Sequence, residues 1–303
     1  HLDTVGVDGM TDPFTPRVEH GRLYGRGAQD MKGGVAAMIA AAGVLAPTWT
    51  RGRLIVAGVA DEEHMSLGAE ALVRDHGADM AVVTEPTDLT LAVGHKGFVW
   101  LRVTCHGRAA HGSRPAEGRD AIAHMGRVLV ALEALDRDLQ ARPPIAFQGT
   151  GSVHASFITG GREMSVYPDR CVLDIERRTV SGDAGASVLA EMQALVARLH
   201  AADPDLRAEV ELCAERPPYR LDPSHALPAA IAASLTARER SAAPGGMSFW
   251  TDAAILGGAG IPSALFGPGG AGLHSAVEYV HVDDVYVCRD VLVDVARRIT
   301  GSL

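Results

Sequence analysis

Residues 53–63 read Arg-Leu-Ile-Val-Ala-Gly-Val-Ala-Asp-Glu-Glu, and this stretch decides how the rest of the chain is interpreted. The apolar run at residues 54–60 is short and rich in β-branched side chains, which predicts a buried strand. It leads directly into the carboxylates of Asp61, Glu62 and Glu63. Like charges at the end of a core strand repel one another and resist burial. A bound divalent metal ion and a solvated acidic turn both fit this stretch alone.

A second apolar run ends in an acid in the same way. Residues 80–84 predict a short buried strand, and Glu85 follows it. Helices are predicted at residues 35–45 and 66–76, so that strands and helices alternate. This alternation is typical of an α/β domain with a mostly parallel sheet, in which ligands bind beyond the carboxyl ends of the strands. The repeated pattern favours the metal ion over the solvated turn.

The pattern changes near residue 96, where a second domain is predicted. Its elements follow the order β-α-β-β-α-β, at residues 98–106, 120–135, 152–159, 171–179, 185–200 and 208–213. This is the order of a ferredoxin-like unit. We therefore expect residues 96–214 to be inserted between two parts of an α/β catalytic domain, residues 1–95 and 215–303. The second part is predicted to contain helices at 227–236, 253–257 and 285–299, and a strand at 261–266.

Composition restricts the partners and the compartment. The net charge of −9 argues against a nucleic-acid partner. No stretch of the sequence is expected to be apolar over the length that a membrane-spanning helix needs. The first residues do not predict a signal peptide. The four cysteines are widely separated and form no CxxC pair, so we expect reduced thiols and a cytoplasmic protein.

Imidazoles and carboxylates recur at predicted strand ends and glycine-rich loops. They are His1, Asp3, Asp30, Glu62, Glu63, Glu85 and His274. In an extended segment Asp3 lies on the same side as His1 and can hold one ring nitrogen, although a frayed terminus is the alternative. Asp30 precedes a helix, where capping is its alternative role. Two histidines and several carboxylates suit two zinc-like ions that hold a hydroxide between them, with one glutamate left as the general base.

Five motifs together resemble the M20 family of metallopeptidases and amidohydrolases. They are His1-Leu-Asp3-Thr-Val, Gly25-Arg-Gly-Ala-Gln-Asp30-Met-Lys-Gly, Asp61-Glu62-Glu63, Thr84-Glu85-Pro86 and Gly267-Pro-Gly…His274-Ser…Glu278-Tyr. The resemblance implies one zinc ion on His1, Asp30 and Glu85. It implies a second on Asp30, Glu63 and His274, so that Asp30 is the bridge. It also implies Glu62 as the general base and Asp3 as the residue that orients His1, with cobalt as an alternative metal.

The same resemblance implies that the inserted domain is a lid that also forms a homodimer. His111 would stabilise the oxyanion, whereas the residue pattern alone indicates an ordinary loop histidine. Arg178 would hold the substrate carboxylate, with Arg177 as its competitor, because the guanidinium fork matches a carboxylate. Thr251 and Asp252 resemble a substrate-side motif, and helix capping is their alternative role.

The expected function is hydrolysis of the amide bond of a small N-acyl amino acid by a metal-bound hydroxide, as in a deacetylase. A dipeptidase or carboxypeptidase acting on short peptides is the alternative within the family. A metal-binding relic without turnover is the alternative from another class. The presence of Glu62 beside Glu63 argues against it, because a protein that only binds metal needs no general base. Family members carry a further stretch before the His-x-Asp motif, so the chain is expected to lack an N-terminal segment.

Overall fold

The structure is a computed structural model, and it describes residues 1–301. The chain forms two compact units. The first consists of His1–His95, Tyr219–Met247 and the chain from Thr251 onward. The second consists of Lys96–Pro218 together with Ser248–Trp250.

Helices and short strands alternate through most of the described chain. The α-helices are α1 (Gly33–Leu45), α2 (Leu67–Asp75), α3 (Ala121–Gln140), α4 (Gly185–Ala202), α5 (Ala226–Thr236), α6 (Ala253–Gly258) and α7 (Val282–Thr300). The strands are β1 (Arg17–Glu19), β2 (Arg22–Tyr24), β3 (Ala81–Val83), β4 (Ala92–His95), β5 (Gly97–His106), β6 (Ser152–Gly160), β7 (Arg170–Thr179), β8 (Arg207–Arg216), β9 (Tyr219–Arg220), β10 (Gly245–Met247), β11 (Ser263–Leu265), β12 (Gly270–Ala271) and β13 (Tyr279–His281).

The first unit contains two sheets. The larger has the strand order β10-β4-β11-β3, and β9 pairs with β4 outside this path. Within it, β10 runs parallel to β4 and β11 parallel to β3, whereas β11 and β9 pair antiparallel with β4. The described strands therefore form a mixed sheet, and not the mostly parallel one that the sequence predicted. The smaller sheet, β1-β2-β13-β12, is antiparallel throughout.

The strand predicted at residues 54–60 does not form. The described chain has no assigned strand there, although the backbone N–H of Leu2 donates to the carbonyl of Val59 at 2.8 Å. The side chains of Leu54, Ile55 and Val56 are 39%, 38% and 42% exposed. An apolar run reports a preference for a sheet, but a strand also needs a neighbour that completes the hydrogen-bond ladder. None of the described strands pairs with this segment.

One helical stretch contradicts the expectation about membrane spans. Ala28–Thr48 is 21 residues long and apolar enough to cross a membrane by length and composition alone. A core helix of a globular unit passes the same test, and this stretch includes α1. Ala41 and Leu45 of α1 pack against Val293 of α7 in a buried cluster. Its apolar character is thus used in the core of the first unit.

The second unit has the element order β-α-β-β-α-β that the sequence predicts, from β5 to β8. Its four strands form one antiparallel sheet in the order β6-β7-β5-β8. Alternate residues of β5 are buried, as expected for a sheet covered on one face. These residues form a single core with α3 and α4, which includes Leu101, Val103, Met125 and Met192.

Candidate metal centre

Two glycines allow the polar loops of the first unit to meet at the end of β3. A Cβ on Gly34, at the start of α1, would overlap the carbonyl oxygen of Thr84. A Cβ on Gly267, in the loop after β11, would overlap the carbonyl oxygen of Glu85. Only glycine permits such a close backbone approach at either position. The turn that carries Asp30 and the glycine-rich loop therefore pack directly on the segment that ends in Glu85.

The carboxylate of Asp30 lies between two imidazoles. Its Oδ1 is 3.1 Å from Nε2 of His1, and its Oδ2 is 3.3 Å from Nε2 of His274. His1 is 6% exposed, whereas His274 lies on the loop between β12 and β13 and its side chain is 56% exposed. One acid thus contacts histidines from the two ends of the sequence.

Asp3 fixes the orientation of two neighbouring groups. Nδ1 of His1 lies 3.1 Å from the backbone carbonyl oxygen of Asp3, to which it donates, and 3.5 Å from its Oδ1. Nε2 of His1 therefore faces the carboxylates. Oδ2 of Asp3 accepts a hydrogen bond of 3.2 Å from the backbone N–H of Glu63. Oε2 of Glu63 is in turn 3.1 Å from Nε2 of His274.

Glu62 and Glu85 extend this cluster of acids. Their carboxylate oxygens lie 3.7 and 3.9 Å from Nε2 of His1. Burial, together with the charge of Glu85, raises the pKa of Glu62 to about 10. Burial likewise raises the pKa of Glu85 to about 8, against the opposing effect of His1. Both acids therefore hold protons at neutral pH when no cation is bound beside them.

The pKa values of the two imidazoles are also raised, which favours their charged form. Burial disfavours the charged form of His1, but the hydrogen bond to Asp30 and the neighbouring glutamates raise its pKa to about 10. Hydrogen bonds to Asp30 and Glu63 raise the pKa of His274 to about 10. Burial opposes ionisation of Asp30 as well, yet the two imidazoles lower its pKa to about 2. The imidazoles of His1 and His274 therefore supply positive charge to this cluster of acids.

The donors in this cluster suit divalent cations. Ligand atoms of His1, Asp30 and Glu63 lie within 4.8 Å of one another, and the same holds for His1, Glu62 and Glu85. Oε1 of Glu63 is buried and has no hydrogen-bond partner among residues 1–301. Carboxylate and imidazole are ligands that zinc accepts, and the buried Oε1 of Glu63 offers a further oxygen to a cation. The residues present therefore fit a metal centre.

Thr251 and Asp252 lie at the start of α6 in the same unit. Thr251 is fully buried, and its hydroxyl accepts a hydrogen bond from the backbone N–H of Ala253 at 3.2 Å. This hydrogen bond satisfies the first backbone N–H of α6, whose N-cap is Asp252, and burial removes Thr251 from the accessible surface. Asp252 is 5% exposed, and its charge contributes to the raised pKa values of Glu62 and Glu85. The structure thus adds Asp252 to the acids of the cluster.

His111 belongs to the second unit. Its Nδ1 accepts a hydrogen bond from the backbone N–H of Ser113 at 3.2 Å and lies 2.8 Å from the hydroxyl of that residue. Because Nδ1 accepts, the neutral ring carries its proton on Nε2. His111 therefore presents an N–H donor on an exposed loop.

The neighbouring arginines of β7 have different environments. Arg177 is 2% exposed, and its guanidinium faces Asp183 at 3.4 Å and Glu191 at 3.7 Å. The side chain of Arg178 is 31% exposed, and its Nε donates to Glu176 at 3.0 Å. Arg178 also lies over the ring of Phe98, with 5.8 Å between its guanidinium carbon and the ring centroid. Of the two, only Arg178 is accessible to a ligand.

Sequence reasoning missed the role of two buried charged residues. Arg26 and Glu278 are 7% and 1% exposed and form an ion pair of 2.7 Å. Both lie within motifs that carry the resemblance, but the motifs alone gave them no role. No local signal identifies the pair, because its two members are 252 positions apart in the chain.

Comparison with known proteins identifies one family along almost the whole chain. The family model described as Peptidase family M20/M25/M40 matches residues 1–298. An acetylornithine deacetylase from Myxococcus xanthus is 31% identical, over 100% of this chain and 79% of its own length. An N-formyl-4-amino-5-aminomethyl-2-methylpyrimidine deformylase from Bacillus subtilis is 29% identical, over 97% of this chain and 76% of its own length.

A solved structure has the same fold. A tripeptidase from Staphylococcus aureus superimposes with a TM-score of 0.78 at 20% identity. The match covers 95% of this chain and 76% of the tripeptidase chain. At this identity the similarity establishes the architecture, with its mixed helices and strands.

Proposed function

Because the chain belongs to peptidase family M20/M25/M40 and is a hydrolase of that family, we propose that it hydrolyses the amide bond of a small N-acyl amino acid with the help of two divalent metal ions. The observation that carries this proposal is the placement of Asp30. One carboxylate oxygen lies 3.1 Å from Nε2 of His1 and the other 3.3 Å from Nε2 of His274. A carboxylate shared in this way is suited to bridge two ions.

The ligands divide into two sets around this bridge. His1, Asp30 and Glu85 would hold one ion, and Asp30, Glu63 and His274 would hold the other. Zinc is the proposed metal, with cobalt as the alternative, because imidazole and carboxylate ligands suit both. When bound, the ions supply Lewis acidity, which polarises the amide carbonyl and makes water a stronger acid.

Glu62 is the proposed general base, and it would remain off the metal ions. Its Oε2 lies 3.7 Å from Nε2 of His1, within the cluster. The raised pKa of Glu62 shows that its environment disfavours the carboxylate form until cations are bound nearby. Glu62 then accepts the proton of the attacking water and passes it to the nitrogen of the leaving amine.

Substrate contacts are proposed for His111 and Arg178, the residues to which the family resemblance gives these roles. His111 presents Nε2–H as a donor for the developing oxyanion. Arg178 is the proposed partner of the substrate carboxylate, since Arg177 is enclosed by its own acids. Asp252 is proposed to tune the acids of the centre rather than to bind substrate, because it is buried among them.

The deacetylase-like substrate class takes its support from the named relatives. The Myxococcus protein is named for deacetylation and the Bacillus protein for deformylation, and both reactions cleave a small acyl group from nitrogen. Peptidase activity on short peptides is the second candidate, since the Staphylococcus structure is that of a tripeptidase. A metal-binding protein without turnover is the remaining alternative.

The proposal includes a cytoplasmic, homodimeric enzyme in which the second unit serves as lid and dimerisation domain. All four cysteines are free thiols, which is consistent with a reducing compartment. No nucleic-acid or membrane partner is proposed.

The decisive test is hydrolysis of a panel of N-acetyl, N-formyl and N-succinyl amino acids and dipeptides by the protein with zinc or cobalt. We expect turnover of an acyl amino acid, and a loss of about 100- to 10,000-fold in Glu62→Gln, the usual contribution of a general base. Zinc content, measured by elemental analysis, should remain unchanged in this variant. Turnover of dipeptides alone would favour the peptidase, and zinc binding without any hydrolysis would favour the non-catalytic protein.

A further inference from the structure

The buried carboxylate of Glu278 organises the turn that carries Asp30. Its Oε1 accepts hydrogen bonds from the backbone N–H groups of Gln29 and Asp30 at 2.9 and 3.0 Å. Its Oε2 accepts from the backbone N–H of Gly27 at 2.9 Å and from Nη1 of Arg26 at 2.7 Å. Gly27 has a φ of +78°, and this left-handed conformation lets successive N–H groups converge on one anion.

The guanidinium of Arg26 extends the same contact to two other segments. Its Nε donates to the carbonyl oxygen of Gly6 at 3.0 Å, and its Nη2 donates to the carbonyl oxygen of Ser275 at 3.1 Å. Gly6 follows the segment that carries His1 and Asp3, and Ser275 is adjacent to His274 in the chain. Each of the three nitrogens of the guanidinium thus has a different partner.

The pair therefore joins the three chain segments that present the imidazoles and the bridging acid. We propose that Arg26 and Glu278 are positioning residues, which set the separation of His1, Asp30 and His274 for the two metal ions. This inference rests on the proposed function. Both residues contact the backbone of these segments, through Gly6, Ser275 and the turn at residues 27–30. Their effect acts through the backbone of the ligands.

The energetics of buried ion pairs favour positioning over stability. Removing two charges from water is costly, so a well-packed apolar pair is often no less stable. What an apolar pair cannot provide is the set of directed hydrogen bonds to Gly6, Ser275 and the turn at residues 27–30. Outer partners of this kind typically change metal affinity about 10- to 100-fold when they are replaced.

The test uses Glu278→Gln and Arg26→Lys in the full chain. Glutamine keeps one acceptor oxygen but places an NH2 group against backbone N–H donors, so one set of hydrogen bonds is lost. Lysine keeps the positive charge but cannot reach three partners at once. Asp294→Asn is the matched control, because Asp294 pairs with Arg238 at 3.2 Å in the same unit without contacting the ligand segments. Zinc affinity is measured by competition with a chromogenic chelator, and ligand geometry by the visible absorption of the cobalt-loaded protein.

We expect both variants to bind zinc about 10- to 100-fold more weakly and to change the cobalt spectrum. The control should lower only the unfolding temperature. Folded variants with the zinc affinity and cobalt spectrum of the wild type would overturn the proposal, and so would failure of both variants to fold without metal, since the pair would then serve folding. If the wild type binds zinc but hydrolyses no panel substrate, the proposed function fails while this test still stands.

Discussion

The two units bury charge in opposite ways. In the second unit, burial lowers the pKa of the Arg177 guanidinium, and the carboxylates of Asp183 and Glu191 that face it oppose this effect. In the first unit, the acids around Asp30 have the imidazoles of His1 and His274 as their ion-pair partners in the described chain. The consequence is visible in the pKa values, because Glu62 and Glu85 are raised to about 10 and about 8.

This difference distinguishes the structural charge cluster around Arg177 from the cluster around Asp30, which is suited to bind a cation. A balanced buried pair needs nothing further, and its loss reduces stability. An excess of buried acids destabilises the unit unless protons or metal ions neutralise it. The same chemical change, carboxylate to amide, should therefore have different consequences in the two places.

The largest expected difference is in zinc affinity. Asp30→Asn removes the charge from the acid that contacts both imidazoles. Replacing a residue that only hydrogen-bonds to a metal ligand typically lowers metal affinity about 10- to 100-fold. We expect a larger fall in zinc affinity here, because Asp30 is the proposed ligand of both ions. Asp183→Asn, the same change beside Arg177, should leave zinc affinity unchanged. Titration with zinc in the calorimeter measures both.

An equal loss of zinc affinity in the two variants would contradict this contrast. So would full zinc affinity in Asp30→Asn, since the bridge would then be dispensable. Circular dichroism of each metal-free variant checks that the fold is retained.

The next difference is in the sign of the stability change without metal. Glu62 has a pKa of about 10 in the folded protein against an ordinary value of 4.5, so folding takes up a proton. The free energy of unfolding falls as pH rises through this window. Glu62→Gln removes this pH-dependent loss of stability, because glutamine does not ionise. We therefore expect the metal-free variant to be more stable than the metal-free wild type by about 1 kcal/mol or more at pH 8, with a smaller gain at pH 5. Urea denaturation at the two pH values provides the measurement.

Asp183→Asn should shift stability the other way. It weakens the contact of 3.4 Å to Arg177 and the hydrogen bond of 3.1 Å from the backbone N–H of Val180. We expect a loss of about 1.5–3 kcal/mol, the usual range for a hydrogen bond to a charged group. Destabilisation of metal-free Glu62→Gln at pH 8 would mean that the acids of the first unit are already balanced.

Long elements were predictable from the sequence, whereas most short strands of the first unit were not. The strands predicted at residues 80–84 and 261–266 are confirmed, as β3 (Ala81–Val83) and β11 (Ser263–Leu265). Every predicted helix is present within a few residues of its bounds, because local signals identify a helix without knowledge of its partners. The signal is a periodic apolar face in α3 and α7, and a run of alanine and other apolar residues in α1. The strands of the first unit are mostly two to four residues long, and their existence depends on distant neighbours. β13, for example, is defined by its pairing with β2 and β12. The failed strand at residues 54–60 shows the same dependence.

The candidate site was partly predictable for a related reason. Acids such as Glu62 and Glu85 follow apolar runs, and this order is visible in the sequence. The role of Glu278 was not, since its partners Gly27 and Asp30 are about 250 residues away in the chain. Whether Thr251 faces substrate or caps a helix also depends on burial, which only the fold decides.

The smallest expected effect distinguishes Arg178 from Arg177. Arg178 is accessible beside Phe98 and Glu176, so Arg178→Lys keeps the charge but loses the fork that pairs with a carboxylate. We expect KM for an acyl amino acid to rise about tenfold, close to 1.4 kcal/mol of binding energy, with zinc affinity and stability unchanged. Arg177→Lys should instead lower the unfolding temperature and leave KM nearly constant, because its partners Asp183 and Glu191 belong to the same unit. Steady-state kinetics on purified, zinc-loaded variants separates these outcomes. A rise in KM in Arg177→Lys alone would assign the substrate carboxylate to the buried arginine, and the balanced cluster of the second unit would then be part of the substrate site.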